Sequence, residues 1–271
     1  MTNGANSFHL QLREELENYI KSQYLGKSPL LLSALSNKIS ECGELYQEPY
    51  IESSPAYQTE LNGIQKAVLP EWIKDFFKKL SDAKLGVFPS PFQHQIQALE
   101  AAVSGKDLFV STGTGSGKTE CYLYPIFNEI MREKEAGTLG DGVRALLIFP
   151  MNALANDQQK KLRKLLKDYP DITFGRYTGE TPHIGKKETP DQAEERLHNE
   201  YDQQHTYDTD PSLRKSIPNE FMSREKMVNN PPHILLTNYA MLEMLLLRPD
   251  TSPFFDNESA KNWKFIIMIT L

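Results

Sequence analysis

The sequence contains little cysteine and no long apolar run. Only two of its 271 residues are cysteine, and neither Cys42 nor Cys121 has a cysteine or histidine at ligand spacing. A disulfide framework and a structural zinc site are therefore excluded. No stretch approaches the roughly 18 apolar residues of a membrane span, and the first residues lack the pattern of a secretory signal. We expect a cytoplasmic protein without membrane contact.

An excess of basic residues is absent as well. The chain has 30 Lys and Arg against 36 Asp and Glu, which gives a formal net charge of −6. A protein that coats nucleic acid needs clustered Lys and Arg to neutralise phosphates, so any nucleic-acid contact must be local. The length and the hydrophobic content of 39% are sufficient for one sizeable core and a smaller annex.

The spacing of apolar residues changes near residue 86. Before that point, apolar residues recur at helical spacing, from Leu12 and Leu16 to Phe76. Two prolines in Glu48–Pro55 interrupt the helical pattern and predict an extended connector. We therefore expect a mostly helical N-terminal accessory region at residues 1–86.

After residue 86, short β-rich runs alternate with helical stretches. This alternation predicts an α/β domain with a parallel sheet at residues 87–271. Runs that are apolar throughout are typical of strands buried on both faces. A polar, proline-interrupted segment at about 183–230 predicts an insertion between two strands. The predicted strands are Asp107–Thr112, Arg144–Phe149, Ile172–Tyr177, Ile234–Thr237 and Lys264–Ile269.

The strongest local signal is the glycine-rich run Ser111–Thr119, between a predicted strand and a predicted helix. Its glycines allow backbone N–H groups to point at phosphate oxygens, and the helix N-terminus adds a favourable dipole. Lys118 would neutralise the β- and γ-phosphates, and Thr119 would ligate Mg²⁺. A glycine-rich turn without function is the alternative. The predicted ATP-binding residues are Thr112, Gly113, Thr114, Gly115, Ser116, Gly117, Lys118 and Thr119.

The run Thr112–Thr119 resembles motif I of superfamily 2 DEAD/DEAH-box helicases, and further segments follow in the order of that family. Phe92–Ala98 resembles the Q-type motif, which implies that Gln95 reads the adenine edge of ATP. The alternative interpretation of Gln95 is a glutamine on a helix surface. For His94 we expect packing or hydrogen bonding and no catalytic role.

Three later segments resemble the nucleic-acid-contacting motifs of the same family. They are Pro150–Gln158 (motif Ia), Tyr177–Glu180 (motif Ib) and the strand-end segment Pro232–Asn238. Ligands of open parallel sheets bind at the carboxyl ends of the strands, where these segments lie. Taken singly, they are equally typical of a turn or a helix cap. The resemblance implies that single-stranded or duplex DNA, with RNA also open, contacts Asn152, Thr178, Gly179, Thr237 and Asn238.

Two segments receive a structural interpretation only. The apolar stripe from Tyr239 to Leu246 predicts a core helix rather than a cofactor site. Arg224 precedes a predicted strand, and we expect it to be exposed.

The resemblance extends to large bacterial helicases of DNA repair and antiphage defence, through the N-terminal helices, Gln47–Glu52 and Leu235–Glu243. It implies a first RecA-like domain. In the family, a later strand ends in an acidic pair that holds Mg²⁺ and positions the attacking water. Here Trp263–Met268 forms the strand pattern, but Ile269-Thr270-Leu271 follows. We therefore name no catalytic residue in this chain.

These patterns together predict the front part of an ATP-dependent DNA helicase or translocase. We expect an incomplete RecA-like domain that does not hydrolyse ATP alone, because motif II and a second RecA-like domain are absent. Expected partners are DNA and a separately encoded remainder of the helicase or a defence or repair complex. One alternative is a non-enzymatic remnant or partner-binding module with weak nucleotide binding. Another is an unrelated P-loop enzyme, such as a small-molecule kinase.

Overall fold

The structure, a computed structural model, divides into two compact units, Met1–Ala56 and Tyr57–Leu271. This division lies upstream of the boundary predicted at residue 86. The structure describes residues 4–25, 28–39, 47, 56–61, 63–67, 69–85, 87–113, 115–185, 187–256 and 258–270.

The first unit is helical in its described residues. It contains α1 (Gly4–Ile20), a π-helical turn (Lys21–Leu25) and α2 (Pro29–Ile39). Glu17 on α1 accepts from Arg13 at 3.1 Å and from Lys21 at 3.3 Å, which are helical i,i+4 pairs. The helical N-terminal region is thereby confirmed, whereas the predicted connector Glu48–Pro55 lies outside the described residues.

The second unit begins with two helices, α3 (Gly63–Lys66) and α4 (Glu71–Asp82), that contribute to its core. The ring of Phe76 on α4 packs edge-to-face on Phe127, with 5.8 Å between centroids. The apolar side chains of α4 recur at helical spacing, so one face of the helix is buried. Those buried residues are Ile73, Phe76, Phe77 and Leu80.

The remaining helices and strands alternate along the second unit, as predicted for an α/β domain. No helix in the described ranges is long and apolar enough to cross a membrane. The elements are α5 (Gln93–Val103), α6 (Lys118–Glu135), β1 (Ala145–Phe149), α7 (Asn152–Leu166), β2 (Phe174–Arg176), α8 (Pro190–Gln204), β3 (Glu220–Phe221), α9 (Arg224–Asn229), β4 (Ile234–Asn238), α10 (Tyr239–Leu247), α11 (Pro253–Asp256) and β5 (Phe265–Met268).

A five-stranded sheet with the order β3-β2-β4-β1-β5 forms the centre of the second unit. All of its neighbouring strands are parallel, and Ala145 lies opposite both Ile234 and Phe265. Alternate residues of β1 enter two apolar clusters on the two faces of the sheet. Leu147 packs with the cluster of α4 to α7, and Leu146 packs with α10 and α11. The predicted α/β fold with a doubly covered parallel sheet is confirmed.

One predicted strand is wrong. Asp107–Thr112 forms no strand in the structure, and Phe109 is 94% exposed. Its apolar composition is that of a buried strand, but a strand also needs a neighbour for its N–H and C=O groups. Asp107–Thr112 therefore remains in contact with solvent.

The predicted core helix forms, but only one of its faces is buried. Met241 and Leu245 on α10 are buried, whereas Tyr239, Met244 and Leu246 are exposed. The sequence is apolar around most of the helix, so its hydrophobic pattern could not identify the packed face.

The polar segment between β2 and β4 contributes the edge strand β3 and the helices α8 and α9. Glu220 on β3 is buried and accepts two hydrogen bonds of 2.6 Å from the guanidinium of Arg163 on α7. The side chain of Asn219 donates to the carbonyls of Leu166 and Ile172 at 3.1 and 2.8 Å. Buried polar contacts therefore attach this segment to the sheet.

Candidate nucleotide and nucleic-acid site

The glycine-rich run forms a loop that leads directly into α6. Gly115 and Gly117 have φ angles of 75° and 73°, a left-handed conformation that glycine adopts without steric cost. Inside the loop, the hydroxyl groups of Thr112 and Ser116 lie 2.6 Å apart and share a hydrogen bond. Thr114 lies outside the described residues.

Helix α5 supports this loop from one side. The side chain of Gln95 is buried; its Nε2 donates to the carbonyl of Gly117 at 3.0 Å, and its Oε1 accepts from the N–H of Phe92 at 2.9 Å. The imidazole Nε2 of His94 lies 2.9 Å from the carbonyl oxygen of Ser116. His94 thus makes the structural hydrogen bond expected of it. Both polar atoms of Gln95 are engaged within the protein, and adenine recognition by Gln95 remains a prediction.

The loop and the start of α6 fit a nucleotide phosphate chain. Lys118 is the first residue of α6; its side chain is exposed and makes no hydrogen bond or ion pair within the described residues. Thr119 follows on the first turn and is half-buried. An 18-residue helix places its positive dipole end at the same point. An ammonium without a partner in the described part of the chain, a helix N-terminus and the backbone N–H groups of a glycine-rich loop are the groups that bind a triphosphate.

Two side-chain contacts connect α6 to α7. Lys161 on α7 forms an ion pair with Glu120, which lies on the first turn of α6. The hydroxyl of Tyr122 donates to Oε1 of Gln158 at 3.2 Å. Burial raises the pKa of Tyr122, so its hydroxyl keeps the proton that it donates. The helix that begins at the phosphate loop is therefore attached to the helix that begins after β1.

The carboxyl ends of β1, β2 and β4 carry a chain of hydrogen bonds that we call the carboxyl-edge network. Asn238, at the end of β4, donates from Nδ2 to Oδ1 of Asn152 at 2.6 Å. Asn152, the first residue of α7, donates from Nδ2 to Glu180 at 3.0 Å. Glu180 also accepts from Nη1 of Arg176, the last residue of β2, at 3.0 Å. The network consists of Asn238, Asn152, Glu180 and Arg176.

The other predicted nucleic-acid residues lie next to this network. Thr178 and Thr237 are fully buried: the hydroxyl of Thr178 accepts from Arg176 at 3.0 Å, and that of Thr237 donates to the carbonyl of Tyr177 at 2.8 Å. Gly179 is exposed, and Asn152 and Asn238 are half-buried. The structure brings all five predicted residues to one edge of the sheet. It places the two threonine hydroxyls in the scaffold of that edge.

The expectation that Arg224 is exposed is wrong. Its guanidinium is buried and donates to the carbonyls of Thr181, Thr178 and Gly179 at 2.9, 2.9 and 3.0 Å. It also lies 5.4 Å from the centroid of the Tyr177 ring. The loop that contains Thr178 and Gly179 has carbonyl groups that need hydrogen-bond donors, and the guanidinium of Arg224 on α9 provides those donors.

Arg176, Glu180 and Arg224 are the functional candidates that the sequence patterns missed. Glu180 was part of the motif Ib segment, but that resemblance implied no role for it. Arg176 and Glu180 lie four residues apart, a spacing that has no meaning outside a helix. Arg224 is brought to the loop only by the fold, and no local signal indicates this contact.

The carboxyl end of β5 carries no acidic side chain. The N–H of Ile269 continues the ladder to Ile148 at 2.9 Å, and Thr270 follows. Within the part of the chain that the structure describes, no three His, Cys, Asp or Glu side chains form a cluster that could hold a metal ion.

Comparison with known proteins adds a family match. Residues 92–209 match the model of the DEAD/DEAH box helicase family. This range begins at the residues that support the phosphate loop and includes the loop, β1, α7, β2 and Glu180.

Individual proteins are similar over most of the chain. The Druantia protein DruE of Escherichia coli (strain UMEA 4076-1) is 29% identical over 93% of this chain. The ATP-dependent helicase Lhr-Core of Methanothermobacter thermautotrophicus is 26% identical over 68% of it. The chain spans 17% of the length of either relative. The crystal structure of the helicase MrfA bound to DNA and AMPPNP is 24% identical, with a TM-score of 0.49, over 79% of this chain and 22% of that one.

Proposed function

We propose that this chain, which carries a DEAD/DEAH box helicase domain homologous to the Druantia protein DruE, is the ATP-binding and nucleic-acid-binding front part of an ATP-dependent DNA helicase or translocase. The observation that carries the proposal is the phosphate loop, where the free ammonium of Lys118 lies at the N-terminus of α6. Family membership implies ATP binding. The assignment of DNA as the nucleic acid, and of this chain as the front part of a helicase, goes beyond what family membership implies.

In this proposal the loop residues bind the phosphates of ATP. The backbone N–H groups of Gly115 to Thr119 and the ammonium of Lys118 would hold the phosphates, and the hydroxyl of Thr119 would be a ligand for Mg²⁺. ATP supplies the phosphoanhydride bond whose hydrolysis drives a helicase. Gln95 and His94 hold the carbonyls of Gly117 and Ser116 outward, so that the loop keeps its shape before ATP arrives.

Nucleic acid binds, in this proposal, at the carboxyl-edge network. Asn152, Gly179 and Asn238 line the end of the sheet where a single strand is expected to lie. Thr178 and Thr237 act through the backbone that they hold in place. The links between α6 and α7 connect this edge to the phosphate loop.

We further propose that the chain alone turns over ATP at a negligible rate. Hydrolysis in this class needs carboxylates that hold Mg²⁺ and orient water, and β5 leads into Ile269 and Thr270 instead. The chain spans 17% of DruE, so movement along DNA is proposed only for a larger polypeptide or assembly. The presence of Ile269 and Thr270 after β5 also favours one alternative, a partner-binding module that binds nucleotide weakly and never hydrolyses it.

The proposal is tested by nucleotide binding and phosphate release. We expect a fluorescent ATP analogue with Mg²⁺ to bind the chain and to bind Lys118→Ala at least roughly tenfold more weakly, a loss of about 1.4 kcal/mol. Lys106→Ala, an exposed lysine ahead of the loop, is the matched control and should bind within about twofold of wild type. Equal affinity of all three proteins would remove the basis for ATP binding at this loop.

Phosphate release separates the alternatives. We expect no release with or without single-stranded DNA. Release that DNA stimulates and that Lys118→Ala abolishes would contradict the proposed inactivity and would indicate that another acidic group of the chain orients the attacking water. Nucleotide binding without any effect of DNA on that binding would favour the partner-binding module.

A further inference from the structure

A carboxylate occupies the hydrogen-bond donors at the centre of the carboxyl-edge network. Glu180 accepts through Oε1 from Nδ2 of Asn152 and through Oε2 from Nη1 of Arg176, both at 3.0 Å. Two oxygens of one anion thus engage an amide and a guanidinium. A phosphodiester group presents two oxygens in a similar way, and these donor types bind carboxylate and phosphate alike.

Both donors are fixed from behind by the rest of the protein. The amide of Asn152 is oriented by Asn238, whose Oδ1 in turn accepts from the N–H of Met241 at 2.7 Å as the cap of α10. The guanidinium of Arg176 is oriented by its Nε, which donates to Oε1 of Gln159 at 2.9 Å. Neither donor therefore depends on Glu180 alone for its direction.

Glu180, in contrast, is the exposed member of the group. Its side chain is 56% exposed, whereas that of Arg176 is 17% exposed. A salt bridge open to solvent stabilises a protein by only about 0–1 kcal/mol, so release of the carboxylate costs little. Hydrogen bonds from Asn152 and Arg176 hold the pKa of Glu180 below its ordinary value, so the group is an anion at neutral pH.

We propose that Glu180 is an internal mimic of a nucleic-acid phosphate, which a phosphodiester of single-stranded DNA displaces from Asn152 and Arg176. The inference rests on the proposed function and specifies the contact by which this edge holds the strand. A nucleic-acid strand that binds here must replace the carboxylate of Glu180 with one of its phosphates. The net attraction is therefore weaker than it would be if the donors of Asn152 and Arg176 had no partner. Arg176 and Asn152 become phosphate contacts only after Glu180 has moved into solvent.

The test compares the affinity of labelled oligothymidylate for wild type and Glu180→Gln by fluorescence anisotropy over a range of salt concentrations. We expect Glu180→Gln to bind roughly three- to tenfold more tightly, because a neutral amide competes poorly for Arg176. Because both proteins make the same phosphate contact once the strand is bound, the slope of log affinity against log salt should change by less than about 0.7, the value for one phosphate contact on a single strand.

Three further proteins make the result specific. Glu188→Gln is the matched control, since Glu188 is also a glutamate paired with an arginine, Arg196, and the net charge changes equally. It should bind within about twofold of wild type. Arg176→Gln with Glu180→Gln should lose the gain and bind no more tightly than Arg176→Gln. Equal unfolding midpoints by circular dichroism would establish that the variants are folded.

The outcomes separate the mimic from the proposed function. Binding by wild type that Glu180→Gln leaves unchanged or weakens would overturn the mimic and leave nucleic-acid binding intact. A gain that persists without Arg176 would also overturn it. Absence of binding by every variant at low salt would overturn nucleic-acid binding by this chain and the mimic with it.

Discussion

At the scale of single residues, Gly117 meets two constraints whereas Gly115 meets one. Both have a left-handed φ, in which any other residue is strained by about 1–2 kcal/mol. A Cβ at Gly115 would meet no atom within 4 Å. A Cβ at Gly117 would collide with the amide of Gln95 and lie 3.0 Å from Oε2 of Glu120. Position 117 is therefore restricted to glycine by steric contacts as well as by its backbone conformation.

We predict that Gly117→Ala lowers the free energy of unfolding by about 1–3 kcal/mol more than Gly115→Ala, which carries the conformational strain alone. The measurement is urea unfolding followed by circular dichroism. The same variant should also weaken binding of the ATP analogue, because relief of the collision displaces the loop. Equal unfolding free energies of the two variants would show that the collision is relaxed without cost.

A second substitution tests the cause of that difference. Gln95→Ala removes the amide that the new methyl group would meet. The double variant Gln95→Ala, Gly117→Ala should therefore be more stable than the sum of the single effects predicts. Strict additivity would assign the loss to Glu120 or to the backbone instead.

Single residues also mark the limit of prediction from sequence. The glycine-rich loop before α6 was predictable because its glycines and Lys118 are adjacent in the chain, and the pattern depends only on neighbouring residues. The contacts of Gln95, Thr178 and Thr237 were not, since their partners come from distant segments. The sequence indicates which side chains lie at the carboxyl ends of the strands, whereas the fold determines which of these side chains are hydrogen-bonded within the protein.

At the scale of elements, α7 connects the phosphate-loop helix on one side to the edge strand β3 on the other. Its contacts with β3 include a hydrogen bond from Gln159 to Glu220 and the ion pair of Arg163 and Glu220, in which both side chains are almost completely buried. Arg163 also donates to the hydroxyl of Tyr201 on α8. A buried charge that loses its partner is costly, so this contact should control how firmly the polar segment is attached.

We predict that Arg163→Met lowers the free energy of unfolding by about 3–5 kcal/mol, because it leaves the carboxylate of Glu220 buried without its main partner. Arg196→Met is the matched control. Arg196 makes exposed ion pairs with Glu188 and Glu200, and its loss should cost about 0–1 kcal/mol. Chemical denaturation of the three proteins measures both values. Similar losses for the two variants would contradict the argument.

The strands were predictable to the extent that composition alone defines them. β1 is apolar throughout, β4 begins with three apolar residues, and both lie in the inner part of the sheet, so pattern and environment agree. Asp107–Thr112 has similar composition but no partner, and β3 has a polar neighbourhood but pairs with β2. Strand pairing depends on two segments, so it cannot be predicted from the sequence of one of them.

At the scale of the whole molecule, the sheet has an open, apolar edge at β5. Ile266 and Met268 on this strand are 64% and 65% exposed, and β5 pairs only with β1 within the described ranges. Unpaired N–H and C=O groups beside apolar side chains favour pairing with another chain.

We predict concentration-dependent self-association of this chain through β5, measured by size-exclusion chromatography with light scattering. Ile266→Lys should require roughly tenfold higher concentration for the same degree of association, since a charged edge strand resists pairing. Tyr207→Lys, at a highly exposed aromatic residue outside β5, is the control and should leave association unchanged. A monomer at all concentrations for every protein would contradict the prediction.

The strand order also has a consequence for synthesis on the ribosome. β4 lies between β1 and β2 in space but follows both in the chain, and β5, the other neighbour of β1, comes later still. A nascent chain therefore exposes the apolar strand Ala145–Phe149 without any partner until residue 234 has emerged. At ordinary translation rates this interval is on the order of ten seconds. During that time a chaperone specific for extended apolar segments has access to the strand that later forms the centre of the fold.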